Sequence, residues 1–572
     1  MSLWWDTLPD DVLSRSVPSG QESNIHPSDY VGPDACQQCH LASHKKNYDS
    51  WSKHPHRWMN ALANSSTVKG DFSKGAAISY RGGRATFTRE GGRFLMRLER
   101  GEQRRSYGIT QTIGSRFFQY YVGKQLDGPE EKGHHFYSKD HVLPFGYWLA
   151  RKEWVPIVHV GREVADDARC DPFRPPDSGR YYAEYATSCN ACHTTFPLAD
   201  MMGRRTLQIG EFAPLPLHLS MRGFLETAHP ELLDATTGMV KLNPDGGNPM
   251  HSWEASRYAA TLGVSCEACH LGARQHVESA GRVLPHFSPS SPHLRIESRQ
   301  PPPTGRTHDN INWACGRCHI GSRPQFAAGM STWNSVEYSD AMRGSCYSQL
   351  TCVDCHSPHR AIGPRWSRSA DADDGVCLKC HQQYRPEDKR LQHTRHPLGS
   401  EGARCLNCHM PRINEGIEDV VRTHMIYSPT RADMLEANHP NACNLCHTDK
   451  PIDWTLRTLK DWYGKTYNEA RIAANYPRRD KPVGLGWLDS NNESVRLVAV
   501  EAMTRRRDLG ALPRLLDALD DPFLINRQFA YKGLQDMLNV RLADFGYRFY
   551  MMGEERQKPL ARLRARFAAD NP

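Results

Sequence analysis

The sequence predicts a mainly α-helical protein with long loops, a small antiparallel β insert and a C-terminal unit of HEAT-like helical repeats. Three observations lead to this fold class. A five-residue pattern recurs at short intervals between Cys266 and His447. Strand-forming residues surround a glycine pair within about 76–125. From about residue 490, apolar residues recur with the spacing of an α-helix.

The recurring pattern is Cys-x-x-Cys-His, and its six copies in this region read SCEACH, ACGRCH, TCVDCH, VCLKCH, RCLNCH and ACNLCH. Two earlier copies begin at Cys36 and Cys189. This is the attachment signature of c-type haem, in which two thiols join the porphyrin and the adjacent histidine binds the iron. The sequence therefore predicts eight haem c groups in a multihaem cytochrome c domain that spans residues 31–464.

The motif assigns a role to each of its residues. The predicted haem-attaching residues are Cys36, Cys39, Cys189, Cys192, Cys266, Cys269, Cys315, Cys318, Cys352, Cys355, Cys377, Cys380, Cys405, Cys408, Cys443 and Cys446. The predicted proximal iron ligands are His40, His193, His270, His319, His356, His381, His409 and His447. A zinc ribbon or a thioredoxin-type pair would explain one Cys-x-x-Cys, but neither requires a histidine after it in eight copies.

Composition places the cofactor in the core and argues against nucleic acid as a partner. The 572 residues are only 39% hydrophobic, and about 30 residues per motif are too few to build separate cores. The porphyrins should therefore supply much of the core, and we expect no fold without them. The net charge of +8 leaves out the haem propionates. Arginine and lysine are therefore expected to pair with propionates rather than with nucleic acid.

The N-terminal residues 1–30 are polar and predict an extended lead-in. MSLWWDTLPDDV does not have the basic start and apolar run of a signal peptide, and no 18-residue apolar stretch occurs. Since c-type haem is attached outside the cytoplasmic membrane, we expect a periplasmic or extracytoplasmic protein. Its leader or membrane anchor would then be missing from this sequence.

Several motifs resemble those of a known family. YVGPDACQQCH is followed by Trp51 and His56, and GVSCEACHLGARQH carries His276 six positions after His270. These stretches resemble the tetraheme cytochromes of nitrification and their larger multihaem relatives. The family's usual Gly-Pro-Gly after the motif histidine is Leu-Gly-Ala here, directly after His270. TCVDCHSPH and RCLNCHMP resemble octahaem and pentahaem relatives, and the resemblance spans roughly residues 31–464.

The resemblance also suggests second, distal iron ligands and thus mostly bis-histidine haems. His56 is expected above the iron of the third motif, at His270, and His276 above that of the first, at His40. Further candidates lie close to other motifs: His359, His396 and His424, and then His44, His54, His159, His393 and His439. In the related tetraheme cytochromes the haem at the place of His193 lacks a protein distal ligand. His193 is therefore the candidate open haem, unless one of the spare histidines closes it.

The two haem-free regions have their own patterns. ATFT and RFLMRL flank Gly91-Gly92, and RFFQYYV follows, so a hairpin-based insert is expected at about 76–125, either structural or a lid near an open haem. Residues 485–572 predict HEAT-like helices, a structural cap or a docking unit for a partner. We expect this tail to pack on the haem domain and to be removable without loss of haem. Cys170 and Cys346 lie outside the motifs and could form a disulfide.

Three functions remain open from the sequence. The first is an electron-transfer protein that carries electrons between redox partner proteins through eight haems. The second is an octahaem oxidoreductase that acts on nitrite, hydroxylamine or tetrathionate at a five-coordinate haem, although no proximal-lysine CxxCK variant is present. The third is a scaffold whose HEAT-like tail docks a partner. No catalytic triad, phosphate loop or dinucleotide fingerprint stands out.

Overall fold

The computed structural model describes residues 8–41, 45–159, 171–175, 182–204, 215–244, 246–300, 303–360 and 368–567. Of these, 41% are helical and 16% lie in strands. The prediction of a mainly α protein with a small β insert is therefore wrong. The described residues contain a nine-stranded, nearly closed antiparallel sheet that extends well beyond 76–125.

The large sheet is formed by β2 to β10 and has the order β10-β9-β7-β6-β5-β4-β3, with β2 paired to β6 and β8 to β7. Its strands are β2 (Asn60–Leu62), β3 (Ala77–Tyr80), β4 (Gly83–Glu90), β5 (Arg93–Arg100), β6 (Gln103–Ile113), β7 (Phe118–Asp127), β8 (His141–Val142), β9 (Phe145–Trp148) and β10 (Glu153–Pro156).

Two-residue turns fix the register of this sheet. Arg81 and Gly82 join β3 to β4, and Gly91 and Gly92 join β4 to β5, all with positive φ. This is the backbone of the type I′ turn, whose twist matches that of the flanking strands. The side chains of alternate residues then point inward, where Phe87 and Trp154 stack with ring centroids 3.4 Å apart. This stacking links β4 to β10 across the curled sheet.

Three smaller sheets complete the β structure of the described residues. β1 (Ser16–Pro18) and β12 (Leu217–Leu219) both pair with β14 (Leu294–Glu297). β11 (Thr194–Thr195) pairs with β13 (Thr261–Leu262), and β15 (Arg412–Glu415) pairs with β16 (Val420–Arg422). The second of these sheets places the residues that follow His193 against the approach to the third motif.

The helices are short in the motif region and longer after it. In chain order they are α1 (Asp10–Ser14), α2 (Pro33–His40), α3 (Lys45–Trp51), α4 (His135–Ser138), α5 (Tyr185–Ser188), α6 (Asn190–His193), α7 (Leu198–Arg204), α8 (Met221–Ala228), α9 (Ala255–Tyr258), α10 (Glu267–His270), α11 (Arg274–Glu278), α12 (His308–Gly316), α13 (Glu337–Arg343), α14 (Cys352–Cys355), α15 (Ala370–Cys380), α16 (Glu387–Thr394), α17 (Cys405–His409), α18 (Ala432–Glu436), α19 (Ile452–Tyr463), α20 (Glu469–Asn475), α21 (Val483–Leu488), α22 (Glu493–Arg506), α23 (Leu512–Asp517), α24 (Leu524–Leu538) and α25 (Gly553–Phe567).

The C-terminal helices α21 to α25 share their core with the rest of the chain. Val495, Ala499 and Phe529 are buried in one cluster with Ile413 and Val420 of the β15–β16 hairpin. On the other side, the tail packs on the large sheet through a second cluster that includes Phe118, Trp148, Leu515, Tyr531 and Leu534. The tail therefore joins the large sheet to the region of the last motifs.

Candidate haem-binding site

Short helices present most of the Cys-x-x-Cys-His motifs. In α2, α6, α10 and α17 the helix ends at the motif histidine, and α14 and α15 end at the second cysteine. Residues three positions apart lie on the same face of a helix, so the two thiols of a motif point to one side. This is the arrangement that two thioether bonds to one porphyrin require.

The motifs surround a single large cavity of about 3150 Å³. An ordinary small-molecule pocket has a volume of about 300–1,000 Å³. Residues of the first seven motifs line the cavity, and residues of the large sheet and of the tail complete its wall. Its size and its lining suit several large, flat, apolar groups placed side by side.

Six of the eight motif histidines face a second histidine with ring centroids 6.1–6.3 Å apart, and five of these pairs line the cavity. The pairs are His40–His276, His56–His319, His270–His359, His356–His424, His393–His409 and His396–His447. Three of the six pairs have nearly parallel rings, with interplanar angles of 3°, 7° and 22°.

This spacing fits an iron held between two imidazoles. A metal bonded to both Nε2 atoms at about 2.0–2.1 Å holds the two ring centroids about 6 Å apart. Two stacked rings in direct van der Waals contact would lie closer together. No cluster of three or more His, Cys, Asp or Glu side chains suited to a bare metal ion occurs in the described part of the chain. A haem iron does not need one, because the porphyrin supplies four of its ligands.

Hydrogen bonds at Nδ1 orient several of these imidazoles. His409 Nδ1 lies 2.9 Å from the Tyr427 carbonyl oxygen, and His276 Nδ1 lies 2.8 Å from that of Val283. His319 Nδ1 lies 2.8 Å from Glu337 Oε2. Where Nδ1 donates to such an acceptor, the tautomer is fixed and Nε2 is left as the metal-binding nitrogen.

The structure places six of the predicted distal ligands opposite motif histidines, but not always opposite the expected one. His276 faces His40, as the resemblance suggests. His56 does not face His270; it faces His319 of the fourth motif, and His359 lies opposite His270 instead. Of the two expected pairings, the one between His56 and His270 is therefore wrong. The turn that follows α3 carries His56 to the fourth motif.

The remaining candidates have mixed positions. His396 and His424 face motif histidines, and so does His393, which the sequence ranked lower. His54 Nδ1 accepts a hydrogen bond from the His56 N–H, and His439 Nδ1 accepts one from the Ala327 N–H. Neither histidine forms one of the six pairs. His44 and Cys170 lie outside the described residues, so the predicted disulfide to Cys346 is not described.

The motif histidines His193 and His381 form none of the six pairs. Among the described residues no ring contact involves His193, and the nearest ring to His381 is Tyr384, with centroids 6.4 Å apart. Burial lowers the pKa of His193 to about 4, so the imidazole is neutral at pH 7. The Tyr120 hydroxyl and His159 Nδ1, which line the same cavity, are hydrogen-bonded to each other.

Thiols from different motifs lie next to one another. In four places a neighbouring thiol from another motif raises the pKa of a cysteine: Cys36 that of Cys266, Cys192 that of Cys318, Cys352 that of Cys315 and Cys377 that of Cys405. Besides burial, longer-range charge interactions raise the pKa of three thiols: Cys269 that of Cys315, Cys377 that of Cys355 and Cys446 that of Cys408. Together these neighbours give the order first, third, fourth, fifth, sixth, seventh, eighth motif, with the second motif branching from the fourth.

Comparison with known proteins adds little to this geometry. No protein-family model matches the chain, and no curated protein matches it. Among solved structures, the crystal structure of the outer cell wall cytochrome OcwA matches over 89% of this chain and 98% of its own, with 13% identity and a TM-score of 0.38. So low a TM-score does not show a shared fold. The assignment therefore rests on the motifs and on the histidine pairs.

Proposed function

We propose that this protein is a multihaem c-type cytochrome that carries electrons through eight covalently attached haems. The observation that carries the proposal is the set of six histidine pairs with ring centroids 6.1–6.3 Å apart. In each pair one member belongs to a Cys-x-x-Cys-His motif. Covalent attachment and bis-histidine ligation by this chain's own residues then hold the cofactor at fixed positions.

The ligand sets suit electron transfer between neighbouring sites. A haem iron supplies reversible one-electron chemistry, and histidine on both faces favours lower potentials than a His–Met pair. Distal histidines come from segments remote from the motif they serve, as His56 does for His319. Each such pair fastens two parts of the chain together. The protein therefore keeps adjacent sites in a fixed arrangement.

The environment of the protein follows from the attachment chemistry. Thioether attachment of haem takes place outside the cytoplasm, so we propose an extracytoplasmic location and other redox proteins as electron donor and acceptor. None of the helices in the described part of the chain is both long and apolar enough to cross a membrane. The net charge is +8, and we propose that arginine and lysine side chains pair with haem propionates rather than with nucleic acid.

The proposal is tested by counting haems and electrons in protein made by cells that mature c-type cytochromes. The denatured protein should carry the mass of eight haems, and a reductive titration should take up eight electrons per chain. Replacing both cysteines of one motif by alanine provides the matched control and should lower both counts by one. An intact mass with no covalent haem, or zinc at the motifs, would overturn the proposal.

A second candidate function is reduction of a small nitrogen or sulfur compound at the His193 site. The observation that favours it is that His193 has no facing ring among the described residues, unlike six other motif histidines. Its site would leave one face of the iron free for nitrite, hydroxylamine or tetrathionate. Tyr120 and His159, hydrogen-bonded to each other on the cavity wall, could supply protons.

This second function is tested by ligand binding to the oxidised protein. Nitrite and hydroxylamine should change one high-spin signal and leave the low-spin signals unaltered. Turnover with a reduced dye and each of the three compounds then identifies the substrate. A fully low-spin spectrum that none of these compounds alters would exclude the second function and leave the first intact.

A further inference from the structure

Glu337 is held as a carboxylate partner of the fourth motif's histidine. It is the first residue of α13, and its Oε2 lies 2.8 Å from His319 Nδ1. Its Oε1 accepts a hydrogen bond of 2.9 Å from the Ser335 N–H. Both oxygens therefore act as acceptors, as they do in an ionised carboxylate. The position at the start of a helix further stabilises the negative charge.

Other motif histidines have different Nδ1 environments. His409 Nδ1 hydrogen-bonds a neutral carbonyl, that of Tyr427. The Nδ1 atoms of His193 and His270 are buried and have no hydrogen-bond partner. At Nδ1 of its histidine, the fourth motif thus has a charged and therefore stronger acceptor. The seventh motif has a neutral acceptor there, and the second and third motifs have none. The difference lies in the residues that surround the iron ligand and not in the ligand itself.

We propose that Glu337 lowers the reduction potential of the haem at the fourth motif, an inference that rests on the proposed function. A carboxylate that accepts the Nδ1 proton of His319 gives the imidazole partial imidazolate character and makes Nε2 a stronger donor. A stronger donor stabilises the ferric iron relative to the ferrous iron. Glu337 is therefore a positioning residue that acts through His319.

The place of the fourth motif gives this effect a wider consequence. The fourth motif adjoins three others. Arg317 donates a hydrogen bond to the Ala268 carbonyl of the third motif, and the Cys352 N–H of the fifth motif donates one to Asn312 Oδ1 on α12. Cys192 of the second motif raises the pKa of the neighbouring Cys318 thiol. The fourth haem is thus the junction between the first and third haems, the fifth to eighth haems and the branch at His193. A low potential at the junction disfavours an electron resting there. Electrons then collect on the groups on either side.

The test is the substitution Glu337→Gln in the full-length holoprotein. Glutamine keeps the size and an acceptor oxygen but removes the charge. The equilibrium constant for reduction of one haem should rise about tenfold, or ~59 mV for a one-electron couple. The low-spin electron paramagnetic resonance signal of the same haem should shift. Spectroelectrochemical titration and the oxidised-state spectrum measure the two effects.

The matched control is Asp309→Asn. Asp309 Oδ1 lies 2.7 Å from His308 Nδ1 on α12, the helix that also carries Cys315, but His308 is not a motif histidine. This variant should leave all potentials unaltered. Unchanged potentials and signals in Glu337→Gln, with all haems attached, would overturn the inference and leave the proposed function standing. A protein without haem at the fourth motif would instead contradict the proposed function.

Discussion

His56 and His54 are two residues apart and have different roles. The ring of His56 lies opposite that of His319 at 6.2 Å, whereas His54 Nδ1 accepts a hydrogen bond from the His56 N–H. Burial lowers the pKa of His56 to about 3, which keeps the imidazole neutral and able to bind a metal. His56 is therefore the residue that we expect to complete the fourth haem.

Replacing His56 by leucine should convert one low-spin haem to high-spin, because the fourth iron loses its distal ligand. Electron paramagnetic resonance of the oxidised protein measures the change. His54→Asn, which retains an acceptor for the His56 N–H, is the control and should keep the low-spin spectrum. If the leucine variant stays fully low-spin, His56 is not a ligand.

A pair of acidic side chains beside the large sheet should make stability depend on pH. Burial, together with a hydrogen bond that the protonated Glu254 carboxyl donates to Asp140, raises the pKa of Glu254 to about 7. An unfolded glutamate has a pKa of about 4.3. Since the folded pKa is the higher one, the folded state binds more protons between these values, and its stability is lost as pH rises through about 7.

We therefore expect the thermal unfolding temperature to decrease as the pH rises from about 4.5 to about 7. The substitution Glu254→Gln should make this decrease smaller. Glu184→Gln is the control, because the Glu184 carboxylate forms an ion pair with Lys139 at 3.0 Å and does not share a proton with an acid. Equal slopes in the wild-type protein and the Glu254 variant would show that the pair does not share a proton.

How far the ligands could be predicted from sequence depends on distance along the chain. The predicted proximal ligands belong to a local motif, and His359 and His396 are candidates because they lie close to motifs. His276 is a candidate through the family resemblance. Which iron each one serves is set by the tertiary fold. The pairing of His56 with His319 requires that the turn after α3 meets the segment after α12, and no local pattern encodes that contact.

The extent of the large sheet was missed because its outer strands are short. β8 has two residues, and β9 and β10 have four each. All four residues of β9 are buried, so it shows no alternation of apolar and polar residues. The Gly91-Gly92 hairpin was found because a turn with positive φ has a strong local signature.

Trp154 closes this sheet, so its replacement tests the observed topology. Its ring stacks on Phe87 across the sheet, and Trp154→Ala should destabilise the protein by about 3–5 kcal/mol. Leu126→Ala, on the exposed side of β7, should cost much less. Thermal or denaturant unfolding measures both. A small effect at Trp154 would indicate that the sheet does not close as described.

The C-terminal tail is more closely connected to the haem region than its helical pattern suggests. Glu501, Arg505 and Lys532 line the large cavity, and Phe529 shares a core with Ile413. The expectation that residues 485–572 can be removed without loss of haem conflicts with this shared core. The sequence showed the helices but not the surface against which they pack.

Deleting residues 485–572 should therefore reduce haem incorporation, because it exposes the core behind the β15–β16 hairpin. The mass of the denatured protein and the absorbance per chain measure attached haem. Truncation after Phe567 is the control and should retain all haems. Full haem content in the longer deletion would show that the tail is a separate unit after all.

At the scale of the whole molecule, residues from the motifs, the large sheet and the tail line a cavity of about 3150 Å³ in the described part of the chain. Motifs that are far apart in sequence meet there in pairs of histidines and pairs of thiols. Few apolar residues are available per motif, so the protein portion alone leaves this cavity at its centre. The same groups that carry electrons would then also fill the core.

The most direct test of this account is a spin count of the fully oxidised holoprotein by electron paramagnetic resonance. The six histidine pairs predict at least six low-spin haems per chain, and any high-spin signal should come from the sites of His193 and His381, which form none of these pairs. Fewer than six low-spin haems in a protein with all eight attached would contradict the assignment of the pairs as axial ligands.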